Sequence, residues 1–297
     1  MRRFQAVSLM LILTAATAAY ADAALNVYSV NYPLQYFAQR IGGEHVNAVF
    51  PAPADVDPAY WVPDADIIGA YQQADLILLN GAEYAAWVDK VSLPKRGQIN
   101  TSASFGDAYI PMADKVTHSH GPGGEHEHTG FAFTTWLDFA QAGQQAEAVC
   151  AAIQKNDPDR ASDYKAGCQS LALDLAALDS AMMAVSRTYQ GAPLLGSHPV
   201  YQYLARRYTL NLRSVHWEPH DTPTVEQWSE FRHMLSEHPA RWMLWEAEPL
   251  AETAAQLEAL GVRVVVLDPC GNRPDEGDWL SVMRSNIQAL TDARSAH

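Results

Sequence analysis

Hydrophobic and polar positions follow two alternating patterns along most of the chain. Short apolar runs lie at residues 25–30, 45–50 and 75–80, the last reading DLILLN without interruption. A continuous run of that kind marks a strand buried on both faces. Between the runs the apolar positions fall at helical spacing, at 33–41, where Gly42-Gly43 ends the pattern, and at 64–74 through Ile67, Ile68 and Tyr71. The same alternation restarts later. Strand-like runs at 192–196, 211–216, 241–246 and 262–267 enclose helical segments at 201–208, 225–235 and 251–260, and a last helix is expected at 278–290. Strands alternating with helices imply a parallel sheet covered by helices.

The middle of the chain differs. Residues 102–130 carry no hydrophobic period and include THSHGPGGEHEHTG from Thr117, so a long mobile loop is expected there. One helix is expected at 136–153, and Asn156-Asp157-Pro158 then gives a turn and N-cap signal. Beyond it Tyr164, Cys168, Leu171, Leu175, Leu178, Met182 and Val185 recur in steps of four and three. That is one stripe on a helix of about seven turns, too long for an ordinary crossover. The expected fold is α/β: two βα lobes with parallel-rich sheets, joined by one long rigid helix, with a ligand cleft between the lobes. The expected divisions are a leader at 1–23, an N-terminal lobe at 24–157 including a His-rich loop at 117–129, a linking helix at 158–188 and a C-terminal lobe at 189–297.

The first residues read as a targeting segment. Arg2 and Arg3 precede an apolar run at 6–19, and Ala21-Asp22-Ala23 offers small residues to a signal peptidase. The run is shorter than the roughly 20 residues of a membrane-spanning helix. No cysteine lies near the cleavage site to carry a lipid, and no later stretch is expected to span a bilayer. A soluble, exported, periplasmic protein is therefore expected. A net charge of -14 argues against nucleic acid and anionic membranes as partners. Of three cysteines, Cys150, Cys168 and Cys270, one pair is expected to bridge in an oxidising compartment. Cys150 and Cys168 are the expected pair, although they lie at unequal distances from the turn at Asn156.

Ligands of an open α/β sheet bind beyond the carboxyl ends of its strands. In the second half of the chain those positions hold Ser197-His198, then His216, Trp217, Glu218 and His220, then Glu246 and Glu248, then Asp268. Imidazole with carboxylate is an ordinary ligand set for Zn²⁺ and other divalent first-row metals. Any one of these residues alone reads more simply as a cap, a turn former or a solvated side chain; together they point to a metal. The loop adds His118, His120, His126 and His128, four histidines within eleven residues, suited to weak, auxiliary metal contact.

These residues bring a family into view. The runs VNYPLQYFAQRIGG (30–43), DVDPAYWVPDADIIGAYQQADLILLNGAEYAAWVDK (55–90), TWLDFAQA (135–142), GSHPVYQYLARRYTL (196–210) and VVVLDPCG (264–271), with the His-rich loop between them, resemble the zinc/manganese solute-binding proteins of ABC transporters. The resemblance implies a metal held between two lobes and delivered to a permease in the inner membrane. The cargo would be Zn²⁺, with Mn²⁺ or another divalent transition metal next, and the protein is expected to be a monomer and not an enzyme. The resemblance also marks two departures. Ala59, after Asp57-Pro58, and Thr134, two residues before Trp136, stand where the family usually has first-lobe histidines. His198 and Asp268 keep the second-lobe positions and are the expected metal ligands. His216 and Glu246 are the expected replacements, with Tyr60, Trp61, Thr134 and Trp217 lining the cleft. Other readings are a metal buffer without an importer, a site for a different metal or a metal complex, and a metal-dependent hydrolase, for which no nucleophile–base motif is present.

Overall fold

The computed structural model describes residues 24–112, 116–119, 125–128 and 130–295. The leader at 1–23 and His120 lie outside the described residues. The first lobe contains β1 (Leu25–Ser29), α1 (Tyr32–Gly42), β2 (Val46–Val49), α2 (Ala65–Gln72), β3 (Leu76–Leu79) and β4 (Gln98–Asn100), with its four strands in the order β2-β1-β3-β4. All of its pairings are parallel. β4 is a short edge strand that the sequence pattern does not reveal. The helices start where side chains can receive orphan backbone N–H groups. Asn31 Oδ1 accepts from Leu34 at 3.2 Å, with Pro33 in the first turn of α1, and Asp64 Oδ1 accepts from Ile67 at 2.9 Å.

The region expected to be a loop has local order. It includes a 3₁₀ segment, Ala103–Ala108, and a hairpin of β5 (Val116–Ser119) and β6 (Glu125–His128). Pairing runs antiparallel and sets His118 opposite His126. Backbone bonds from Met112 to Gly130 and from Ala132 to Ile110, both 2.8 Å, close the base of this excursion. Backbone pairing gives no hydrophobic signature, so side-chain periodicity is blind to such a ladder.

α3 (Phe139–Asn156) follows, capped by Asp138, and a 3₁₀ turn, Pro158–Arg160, leads into α4 (Ala161–Tyr189). At ~1.5 Å per residue α4 is about 44 Å long. By length and composition, Pro158–Tyr189 is apolar enough to cross a membrane, contrary to expectation. Its stripe of Tyr164, Leu171, Leu175, Leu178, Met182 and Val185 is nonetheless buried in the core shared by both lobes. Cys150 and Cys168 are disulfide-bonded, with Cα atoms 5.9 Å apart. The intervening 3₁₀ turn removes the apparent mismatch, because Cys150 lies six residues before the end of α3 and Cys168 seven after the start of α4. Cys270 is buried and free.

The second lobe comprises β7 (Pro193–Gly196), α5 (Gln202–Tyr208), β8 (Asn211–Ser214), α6 (Val225–Glu237), β9 (Trp242–Trp245), α7 (Ala251–Ala259), β10 (Arg263–Val266) and α8 (Trp279–Ser295). Its strands lie parallel in the order β10-β9-β7-β8. A capping box between Thr224 and Gln227 starts α6. In a parallel sheet of this kind the residues placed to meet a ligand are those just past the carboxyl ends of the strands.

Candidate metal centre

The two lobes enclose a cleft of about 860 Å³. Its second-lobe wall is built from the strand ends. The N–H of Ser197 donates to Leu244 O at 2.8 Å, and that of Trp217 donates to Ser197 O at 2.7 Å, so the turn after β7 is held between the ends of β9 and β8. This places the buried His198 between two carboxylates. Its Nδ1 lies 3.5 Å from Glu246 Oε1 and its Nε2 lies 3.5 Å from Glu218 Oε1. The ring of His216 meets that of His198 edge to face at 5.8 Å. Asp268 follows β10. Its backbone is bonded both ways to Asn286 of α8, at 3.1 and 2.7 Å, and its Oδ1 accepts from the Cys270 N–H at 2.6 Å.

The first-lobe wall carries Asp57, Ala59, Tyr60, Tyr84, Phe133 and Thr134. Asp57 Oδ1 accepts from the Ala59 N–H at 2.9 Å. The loop before it is clamped across the lobes by Asn272, whose Nδ2 donates to Pro53 O at 2.7 Å and to Val56 O at 2.9 Å. Trp136 Nε1 donates across to Pro269 O at 2.7 Å. Thr134 is buried, and its hydroxyl donates to the carbonyl of Val200 in the second lobe. The residue at the family's histidine position is therefore part of the lobe contact. The adjoining turn holds Ala82, Glu83 and Ala85 at φ of 50°, 61° and 58°. Such left-handed conformations in non-glycine residues persist only where surrounding structure enforces them.

Among the described residues no lysine or arginine lines the cleft, whereas Asp57, Glu218, Glu246 and Asp268 all do. Burial raises the Glu246 carboxyl well above the usual range, and the charges of Glu218, Asp57 and Asp268 raise it further. Burial also raises Asp268; the Cys270 N–H opposes this and Asp275 adds to it. The Tyr60 phenol is raised by burial and then by Asp57, Glu246 and Glu218, so it is neutral. Carboxylates from both lobes thus act on one another, and a cation between them relieves desolvation and mutual repulsion together. Among the described residues, no three His, Cys, Asp or Glu side chains already stand in metal-holding proximity.

The expected site residues separate into two groups. His198, Glu246, Asp268, Tyr60 and Thr134 line the cleft. His216 does not; it backs His198, and Glu218 takes the position beside the ring that the sequence reading gave to His216. Trp61 and Trp217 are likewise absent from the walls. Trp217 lies in the apolar core behind the sheet, its ring 4.8 Å from Trp228 and 4.9 Å from Phe231. Alternation along the segment accounts for Trp217, which turns into the apolar core away from the side of His216 and Glu218. The signal for Glu218 was thus present in the sequence, two residues from His216. His118, His126 and His128 lie on the backbone of the hairpin.

Known proteins share the sequence pattern and the fold of this chain. The chain is 24% identical over 282 residues to the zinc-binding lipoprotein AdcA of Streptococcus pneumoniae serotype 4, covering 91% of this chain and 56% of AdcA. It therefore spans little more than half the length of that relative. It is 25% identical over 262 residues to the high-affinity zinc uptake system protein ZnuA of Paracoccus denitrificans, covering 76% of this chain and 78% of ZnuA. Among solved structures, the metal-dependent lipoprotein YcdH of Bacillus subtilis superposes with a TM-score of 0.77 at 21% identity, covering 90% of this chain and 98% of that one. The Zn(II)-bound AdcA of S. pneumoniae superposes at 0.76 and 20% identity, covering 91% and 58%. These superpositions show a common fold. The family model that matches residues 27–293 is that of the periplasmic component A of the zinc-uptake complex, and the chain belongs to this family.

Proposed function

We propose that this protein captures a divalent transition metal ion outside the cytoplasm, zinc foremost and manganese second, and presents it to the inner-membrane permease of an ABC importer. It acts as a soluble periplasmic monomer once residues 1–23 are removed, and it catalyses no reaction. The observation that carries this reading is His198 set between Glu218 and Glu246 at parallel strand ends, in an acidic cleft lined by no lysine or arginine among the described residues. Zinc takes imidazole nitrogen and carboxylate oxygen at ~2.0–2.2 Å, which sets two donor atoms on a tetrahedral ion roughly 3.3–3.6 Å apart, so a ring nitrogen of His198 and the carboxylate beside it already stand at ligand spacing. His198, Glu246 and Asp268 are the principal ligands, Glu218 beside the other ring nitrogen orients the imidazole, and His216 packs against the His198 ring. The hairpin histidines serve as auxiliary collectors.

Metal analysis of the purified protein, followed by calorimetric zinc titration of the wild type and His198→Ala, tests this. The variant is expected to lose at least tenfold in affinity, about 1.4 kcal/mol. Unchanged affinity would mean that the cleft does not hold the metal.

A further inference from the structure

We infer that the cleft takes its metal together with a small organic chelator, neutral or bearing amine or imidazole donors, which completes the coordination from the first-lobe side. This rests on the metal-capture reading above and names the form of the cargo.

Three observations lead to it. The first is size. A bare ion with ligands ~2.0–2.3 Å away fills a small part of 860 Å³, whereas cavities of ~300–1,000 Å³ enclose small organic molecules.

The second is where the donors lie. The imidazole and the carboxylates beside it, His198, Glu218 and Glu246, all belong to the second lobe. Among the described residues, the first-lobe wall presents neither imidazole nor thiolate, and its carboxylate Asp57, which acts electrostatically on Glu246, has Oδ1 engaged by the Ala59 N–H. Ala59 has no donor atom in its side chain, and the Thr134 hydroxyl is directed to Val200 O. A metal bound at His198 therefore finds no first-lobe imidazole among the described residues and keeps a coordination position for an outside donor beside Asp57.

The third is what covers those positions. Tyr60 and Tyr84 pack edge to face on Phe133, at 6.1 and 5.2 Å between ring centres, and Tyr84 packs in the same way on Trp136 at 5.8 Å. Burial raises both phenols far above their ordinary value, so these side chains are uncharged and form an aromatic patch on the wall that carries Asp57. It suits the face of a planar organic ligand better than a hydrated ion.

Charge then selects among chelators. With Asp57, Glu218, Glu246 and Asp268 in the cleft and no lysine or arginine among the described residues that line it, a polyanionic chelator is repelled, while a neutral or amine-bearing one leaves the complex cationic.

The test uses the mature chain, freed of metal and titrated with zinc alone, with zinc plus L-histidine, with zinc plus 2,2′-bipyridine and with zinc plus citrate. Native mass spectrometry is expected to show one zinc and one histidine or bipyridine per chain. Calorimetry, corrected for chelation in solution, is expected to show at least tenfold tighter zinc binding in their presence, and citrate is expected only to strip the metal. Ala59→His, which returns an imidazole to the first-lobe wall, is expected to tighten bare zinc and suppress the ternary species. If the wild type binds zinc alone and both histidine and bipyridine merely compete it away, the inference is overturned while metal capture stands. If zinc binds in no form, both fall.

Discussion

Removing the Thr134 hydroxyl separates two roles for the residue at the family's histidine position. Thr134→Val keeps the branched shape and deletes one donor. In the wild type that donor satisfies the carbonyl of Val200, in a contact where Thr134 is 4% and Val200 9% exposed. The variant leaves a buried carbonyl without its side-chain donor, which costs about 1–3 kcal/mol. For a chain of this size each kcal/mol shifts Tm by roughly 2–4 °C, so a fall of roughly 2–12 °C is expected. Zinc affinity should change by less than about threefold, under ~0.7 kcal/mol, because the hydroxyl faces Val200 and not the His198 cluster. Differential scanning calorimetry of the metal-free protein measures the first quantity and zinc titration the second. An unchanged Tm with a tenfold loss of zinc affinity would refute the reasoning and make Thr134 a ligand.

Two further predictions concern stability. The Cys150–Cys168 bond closes a segment of 18 residues, for which chain entropy predicts about 3 kcal/mol of stabilisation. Cys150→Ser with Cys168→Ser should lower Tm accordingly, and labelling of Cys150 by a thiol reagent without prior reduction would disprove the bridge. Asp157 accepts from Tyr164 Oη at 2.5 Å and from Arg160 Nη1 at 2.6 Å, and these bonds, that of Tyr164 foremost, hold its carboxyl below the usual range. A lowered folded-state value gives stability that is present above the ordinary Asp range, near 3.9, and is lost as acid passes through the lowered one. Asp157→Asn should therefore cost about 1.5–3 kcal/mol at pH 7 in urea unfolding, and its difference from the wild type should vanish at lower pH. A pH-independent difference would contradict the assignment.

The lobes, the long helix and the second-lobe strand ends that line the cleft were all legible in the chain alone. Burial on both faces forces strands such as 76–79 and 242–245 to be apolar throughout, and the four-three stripe of α4 repeats over its whole length, so both patterns survive without knowledge of neighbours. Asp268 and His198 were legible for the same reason, since each follows an apolar run directly. β4 and the β5–β6 hairpin were not, because edge and hairpin strands are held by backbone bonds and need no apolar code. The tertiary structure alone decided which strand-end residues meet. Glu218 and His216 are two positions apart and chemically equal candidates, and only the packing of Trp217 behind the sheet and the seating of His198 between β8 and β9 put the carboxylate into the cleft. Only the approach of the lobes turned Thr134 toward Val200. Contacts between residues 66 positions apart depend on how two folded surfaces dock, and no local period in the chain encodes that.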